Sequence, residues 1–98
     1  MRKLIRDKLD KVIPDNELEF VSGTQYDEML RDKLQEELAE LIDTQYTDVD
    51  EFADVIEVLY ALAELNNITK HEIQSKRIEK LYERGGFRKG LVLNRLTK

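Results

Sequence analysis

Two pairs of carboxylates share one spacing in this chain, Glu37 with Glu40 and Glu51 with Asp54. Side chains three residues apart are neighbours on a helix surface. If both segments are helical, each pair therefore presents two oxygen donors side by side. Such a set suits a hard divalent cation, Mg²⁺ or in its place Mn²⁺, which takes oxygen ligands and keeps positions for water or substrate phosphates. Glu36 adds a further carboxylate next to Glu37. Other chemistries are excluded by composition. The chain has no cysteine and a single histidine, His71, which rules out thiolate sites and multi-histidine zinc sites and disfavours histidine-based triads.

The elements that must position these groups read as helices. Met29, Leu30, Leu34, Leu38, Leu41 and Ile42 recur at three- and four-residue intervals, which predicts a helix from Gln25 to about Asp43, with Thr24 as its N-cap. Thr44–Val49 interrupts the pattern. Asp48 and Glu51 have capping-box spacing, so a second helix is expected from about Val49 through Phe52, Val55, Ile56, Leu59 and Leu62 to about Leu65. Thr69 with Glu72 opens a third, which stops at Gly85-Gly86. Residues before Ser22 look irregular, with a short helix around Asp7–Val12 and a turn at Pro14. The short connection between the first two helices predicts an antiparallel pair. At about 100° per residue, Glu51 falls inside the apolar sector of its helix and Asp54 at its edge, while Glu57 and Glu64 fall on the polar side. Glu37 lies at the margin of the leucine stripe, Glu40 about 60° further round, with Lys33 between them. Antiparallel packing then brings the two pairs together, and four carboxylates in one partly apolar place need a compensating positive charge.

Each of these residues also has a plain structural role open to it. Glu51 can serve as the capping-box partner of Asp48, and Glu37 can pair with Lys33. Glu40 and Asp54 can be solvated or face arginines such as Arg77 or Arg84.

Ninety-eight residues suit one domain, 1–98, with a modest core that a partner subunit would help to close. Charged residues make up 38% of the chain in mixed sign, the pattern of a helical protein with salt-bridged surfaces. A net charge of −5 argues against binding a nucleic-acid polymer, but a cation can still bridge the chain to a phosphate-bearing ligand. No apolar run reaches the roughly 18 residues of a membrane span, and the N-terminus does not read as a secretory signal, so a cytoplasmic protein is expected.

The string Glu36-Glu37-Leu38-Ala39-Glu40, ten residues, then Glu51-Phe52-Ala53-Asp54 resembles the EExxE…ExxD signature of the all-α nucleoside triphosphate pyrophosphohydrolases, the MazG-like superfamily. Lys3-Leu4-Ile5-Arg6-Asp7-Lys8 near the start and Glu83-Arg84-Gly85-Gly86-Phe87 near the end look similar to a small phosphoribosyl-ATP pyrophosphohydrolase-like, house-cleaning branch. The resemblance implies an all-α helical bundle completed by oligomerisation, as a homodimer or homotetramer with the site near a subunit interface. It implies Mg²⁺ on Glu37, Glu40, Glu51 and Asp54, with Glu36 activating water or supporting the metal ligands. The implied reaction cleaves a nucleoside triphosphate between the α- and β-phosphates to monophosphate and pyrophosphate. Lys33, Lys3, Arg6, Lys8 and Arg84 are the cations expected to hold the phosphates. Phe87 or Tyr82 could stack on a base. Two alternatives stand beside this: hydrolysis of phosphoribosyl-ATP or dUTP at the same kind of site, and a non-catalytic helical interaction module whose acidic residues serve solubility.

Overall fold

The computed structural model describes residues 2–95. Three α-helices, α1 (Gly23–Asp43), α2 (Val49–Leu65) and α3 (Lys70–Arg84), follow an N-terminal segment with two 3₁₀ turns at Asp7–Lys11 and Asp15–Glu17. The described residues contain no strand, so the protein is all-α.

The boundaries of α2 and α3 fall where the capping signals put them. Asp48 caps α2 by accepting from the Asp50 N–H at 2.9 Å, and the Thr69 hydroxyl caps α3 by accepting from the Glu72 N–H at 3.1 Å. Helix α3 ends on Gly85, whose N–H donates to the Leu81 carbonyl. The start of α1 differs. Thr24 lies inside the helix because the chain turns into it at Gly23, whose φ of +58° is a left-handed value that glycine takes at little cost.

Residues 44–48 reverse the chain between α1 and α2. Thr44 donates from its hydroxyl to the Leu41 carbonyl at 2.8 Å, and the Tyr46 N–H donates to the same carbonyl at 3.1 Å. Gln45 and Tyr46 both sit at positive φ, 56° and 61°. A left-handed residue with a Cβ costs roughly 1–2 kcal/mol. Replacing the exposed Gln45 by glycine is therefore expected to raise stability by about 0.5–1 kcal/mol, the relief exceeding the added freedom of the unfolded chain; a higher urea midpoint would show it.

α1 and α2 pack side by side and antiparallel, bringing the late turns of α1 against the early turns of α2. Leu30, Leu41 and Val55 are buried between them, with Glu37 among them. α3 buries no residue. It meets α2 through its first half, where Gln74 donates to the Tyr60 hydroxyl and the Lys70 ammonium lies 5.3 Å from the Tyr60 ring centre. A second apolar stripe on α2, Phe52, Ile56 and Leu59, remains exposed, as do Ile78 and Leu81 on α3. The chain is correspondingly extended. Its radius of gyration is 17.7 Å, against about 13 Å for a compact chain of this length. Its accessible surface is 9144 Å², where a compact monomer of its mass would expose roughly 5,800 Å². No helix among the described residues is long and apolar enough to cross a membrane.

Candidate metal centre

Positions 30, 37 and 41 form the buried stripe of α1, so the spacing that aligns Leu30 with Leu41 also carries Glu37 inward. Across from it, Glu51 and Asp54 lie on the turn of α2 that precedes Val55. One carboxylate oxygen from each of Glu37, Glu51 and Asp54 lies within 4.8 Å of the others, and the same holds for Glu36, Glu37 and Glu40. Glu37 belongs to both groups and is the hinge between them. The structure thus gathers every carboxylate expected to ligate metal, with Glu36 beside them.

The charges are unevenly compensated. Lys33 reaches Glu36 at 3.0 Å and the Oε1 of Glu37 at 3.3 Å. Lys3 lies 3.6 Å from Glu36, and Arg6 donates to Asp54 at 2.6 Å. The Oε2 atoms of Glu37 and Glu51 are buried without any hydrogen-bond partner. Glu37 is only 6% exposed. An orphaned buried carboxylate oxygen is costly, and two of them facing one cluster are what a divalent cation with oxygen preference would satisfy. The residues present therefore fit Mg²⁺ or Mn²⁺.

Proton affinities follow the same split. Burial, then repulsion from Glu40, pushes the Glu37 carboxyl above its ordinary 4.5 against the pull of Lys33. Glu51 is raised by desolvation and by Glu40, Glu37 and Asp54. Glu36 moves the other way, held below 4.5 by its hydrogen bond to Lys33. Burial would lower Lys33, but Glu36 and Glu37 outweigh it and raise its pKa. Carboxylates raised in the folded state stabilise it through protonation, so stability is gained as pH falls through their folded values and lost as it rises. The metal-free protein is expected to become more stable as pH is lowered from neutral toward 4.5. Glu36, lowered in the folded state, opposes this gain only as pH nears 4.5, where its unfolded carboxyl begins to protonate. Mg²⁺-induced stabilisation should shrink over the same interval, because protons and metal compete for Glu37 and Glu51. Thermal melts with and without Mg²⁺ at stepped pH check both trends.

A cleft of about 460 Å³ opens beside the carboxylates, with Lys3, Arg6, Lys33, Glu37 and Asp54 on its wall. Of the five expected phosphate-binding cations, Lys3, Arg6 and Lys33 line it. Lys8 is exposed and does not, and Arg84 lies in a separate hollow at the end of α3. Tyr82 and Phe87, the expected stacking residues, are 92% and 99% exposed and also outside the cleft. Glu57 and Tyr26 are among the further residues that line the cleft. Helical phase puts Glu57 on the polar side of α2, but the cleft occupies that flank because the N-terminal segment folds over it. Tyr26 stands at the mouth of α1, and its signal is in the sequence: 26, 30, 33 and 37 repeat at heptad intervals and so share a face. Glu51 is not a capping-box partner in the expected sense, since Asp48 bonds the Asp50 N–H and the Glu51 carboxylate turns into the cluster.

Comparison with protein-family models, with curated proteins and with solved structures finds no match to this chain.

Proposed function

We propose that this protein is a Mg²⁺-dependent nucleotide pyrophosphohydrolase, cleaving a nucleoside triphosphate or related nucleotide between the α- and β-phosphates to monophosphate and pyrophosphate, in the service of nucleotide-pool house-cleaning. The observation that carries this reading is the buried, unpartnered Oε2 of Glu37, held against Glu51 and Asp54 of the neighbouring helix beside a cation-lined cleft. The signature-like spacing of the carboxylates agrees with it.

Glu37, Glu40, Glu51 and Asp54 are the ligand set, and Mg²⁺ bound there supplies charge neutralisation for the phosphates in a displacement that asks little else of a protein. Lys3, Arg6 and Lys33 bind phosphate oxygens from the cleft wall. Arg6 has a second role, since it now neutralises Asp54 and would be freed for phosphate when the ligand set is filled. Glu36 is ionised at neutral pH and orients the attacking water by accepting its hydrogen bond. Its lowered pKa makes it a weak proton acceptor, better at positioning than at full deprotonation. Tyr26, Leu4 and Ile5 give the cleft apolar surface for the nucleoside. The exposed stripes of α2 and α3 are covered in a homodimer or homotetramer, which completes the helical bundle.

The test is incubation with Mg²⁺ and a panel of ribo-, deoxy- and modified triphosphates plus dUTP and phosphoribosyl-ATP, with the products resolved. Monophosphate with pyrophosphate is expected, and the ranking identifies the nucleotide. Release of inorganic phosphate and a diphosphate, or no turnover, would sink the proposal.

A further inference from the structure

The C-terminal arm that follows α3 is not used by the cleft of its own chain. Arg84, Arg88 and Lys89 make no ion pair with any described carboxylate. Phe87, Leu91, Val92 and Leu93 stand almost wholly in water. Cations at 84, 88 and 89 and bare apolar side chains at 87 and 91–93 share this segment, which suits an arm that lies on another surface and brings positive charge to it. The acidic cleft has the opposite need. Asp7, Glu37, Asp54 and Glu57 on its wall, with Glu36, Glu40 and Glu51 clustered beside Glu37, outnumber its cations Lys3, Arg6 and Lys33. One divalent ion does not balance that set once a polyphosphate is added.

The occupant is a second copy of this chain. The accessible surface exceeds that of a compact monomer by roughly 3,300 Å² per chain, more than the roughly 1,000–2,500 Å² that each partner of an obligate homodimer buries. The apolar stripe of α2 and the apolar arm belong to the same exposed surface excess. Arg84 begins the arm on the unpacked half of α3, away from the Tyr60 contact that ties α3 to α2. We propose that the arm of one copy, from Arg84 to Leu93, lies across the cleft of the other and supplies Arg84, Arg88 and Lys89 to the phosphates bound there. The substrate site is then shared between two chains, with the carboxylates from one and the outer cations from the other. The role given to these cations rests on the proposed hydrolysis; the placement of the arm does not.

Two experiments separate those parts. The chain has no natural cysteine, so single cysteines report cleanly. Leu9→Cys at the cleft rim and Leu91→Cys in the arm are made in separate chains, mixed, and treated with a short bis-maleimide. A mixed covalent dimer is expected, with little product from either variant alone. No mixed dimer, or closure within one chain when both cysteines share it, overturns the placement whether or not the protein turns over any nucleotide. For the cations, R84A/R88A/K89A is expected to raise KM for the best triphosphate tenfold or more while leaving Mg²⁺-induced stabilisation unchanged. Mixing that variant with Glu37→Gln chains should restore roughly a quarter of wild-type activity, since random pairing makes half of the dimers mixed and each has one intact site of two. No recovery, with active wild-type protein in the same assay, overturns the sharing. Wild-type protein that hydrolyses nothing defeats the proposed function and with it the role of the cations.

Discussion

Glu37→Gln is expected to stabilise the metal-free protein and to abolish its activity. The side chain keeps its shape and one acceptor for Lys33, while the charge facing Glu40, Glu51 and Asp54 disappears. A buried carboxylate oxygen without a partner is destabilising, and its neighbours already hold Glu37 toward the protonated form. The gain is expected at about 1 kcal/mol in the absence of metal. With Mg²⁺ the order reverses. Metal at a hundredfold excess over its dissociation constant stabilises the wild type by about 2.7 kcal/mol, and the variant should gain far less. Charge neutralisation by bound metal is worth several kcal/mol to the transition state, so hydrolysis should fall by about a thousandfold. A merely structural Glu37 would give a different pattern: a loss of stability in both conditions and a metal response like that of the wild type. Chemical unfolding with and without Mg²⁺ distinguishes the two.

The second large effect is expected at the exposed face of α2. Ile56 and Leu59 are 48% and 45% exposed and stand one turn apart, beside Phe52. The carboxylate cluster draws on other positions of α2, Glu51 and Asp54. In an assembled protein these side chains form an apolar contact, and a charge at the centre of such a contact is left without a partner. Ile56→Glu with Leu59→Glu is therefore expected to dissociate the assembly and to cost several kcal/mol, because three buried apolar side chains are a small core for a lone chain. Wild-type stability should rise with protein concentration, and that dependence should vanish in the variant. Light scattering for mass and urea titration at two concentrations measure both. A variant with wild-type mass and stability would show that the stripe is simply a solvent-facing surface.

Much of this arrangement is legible in the residues themselves. The starts of α2 and α3 follow from Asp48 and Thr69, whose side chains bond the first turn as their types require. The inward lean of Glu37 and Glu51 follows from helical phase, since each shares a stripe with buried or half-buried apolar residues. What escaped has physical reasons. The N-terminal segment has no period, so nothing in it announces that Arg6 reaches Asp54, a contact between residues 48 positions apart. That same segment turns the flank of α2 bearing Glu57 from a polar face into a cleft wall. Thr24 was a reasonable cap by type, but the backbone freedom of Gly23 moves the start of α1 before it. Arg84 has the right charge for a phosphate ligand, yet helix packing alone carries it away from the cleft of its own chain.

The central claim is that the carboxylates of α1 and α2 hold a divalent cation, and Mn²⁺ tests it most directly, because the free ion has a strong electron paramagnetic resonance signal that is lost on binding. Titrated with Mn²⁺ at neutral pH, metal-free protein is expected to deplete that signal to saturation, to release the ion when excess Mg²⁺ is added, and to lose the effect in Glu37→Gln. A wild-type titration that follows free Mn²⁺ throughout, or equal binding by the variant, would contradict the metal centre and leave the acidic cluster without the role assigned to it.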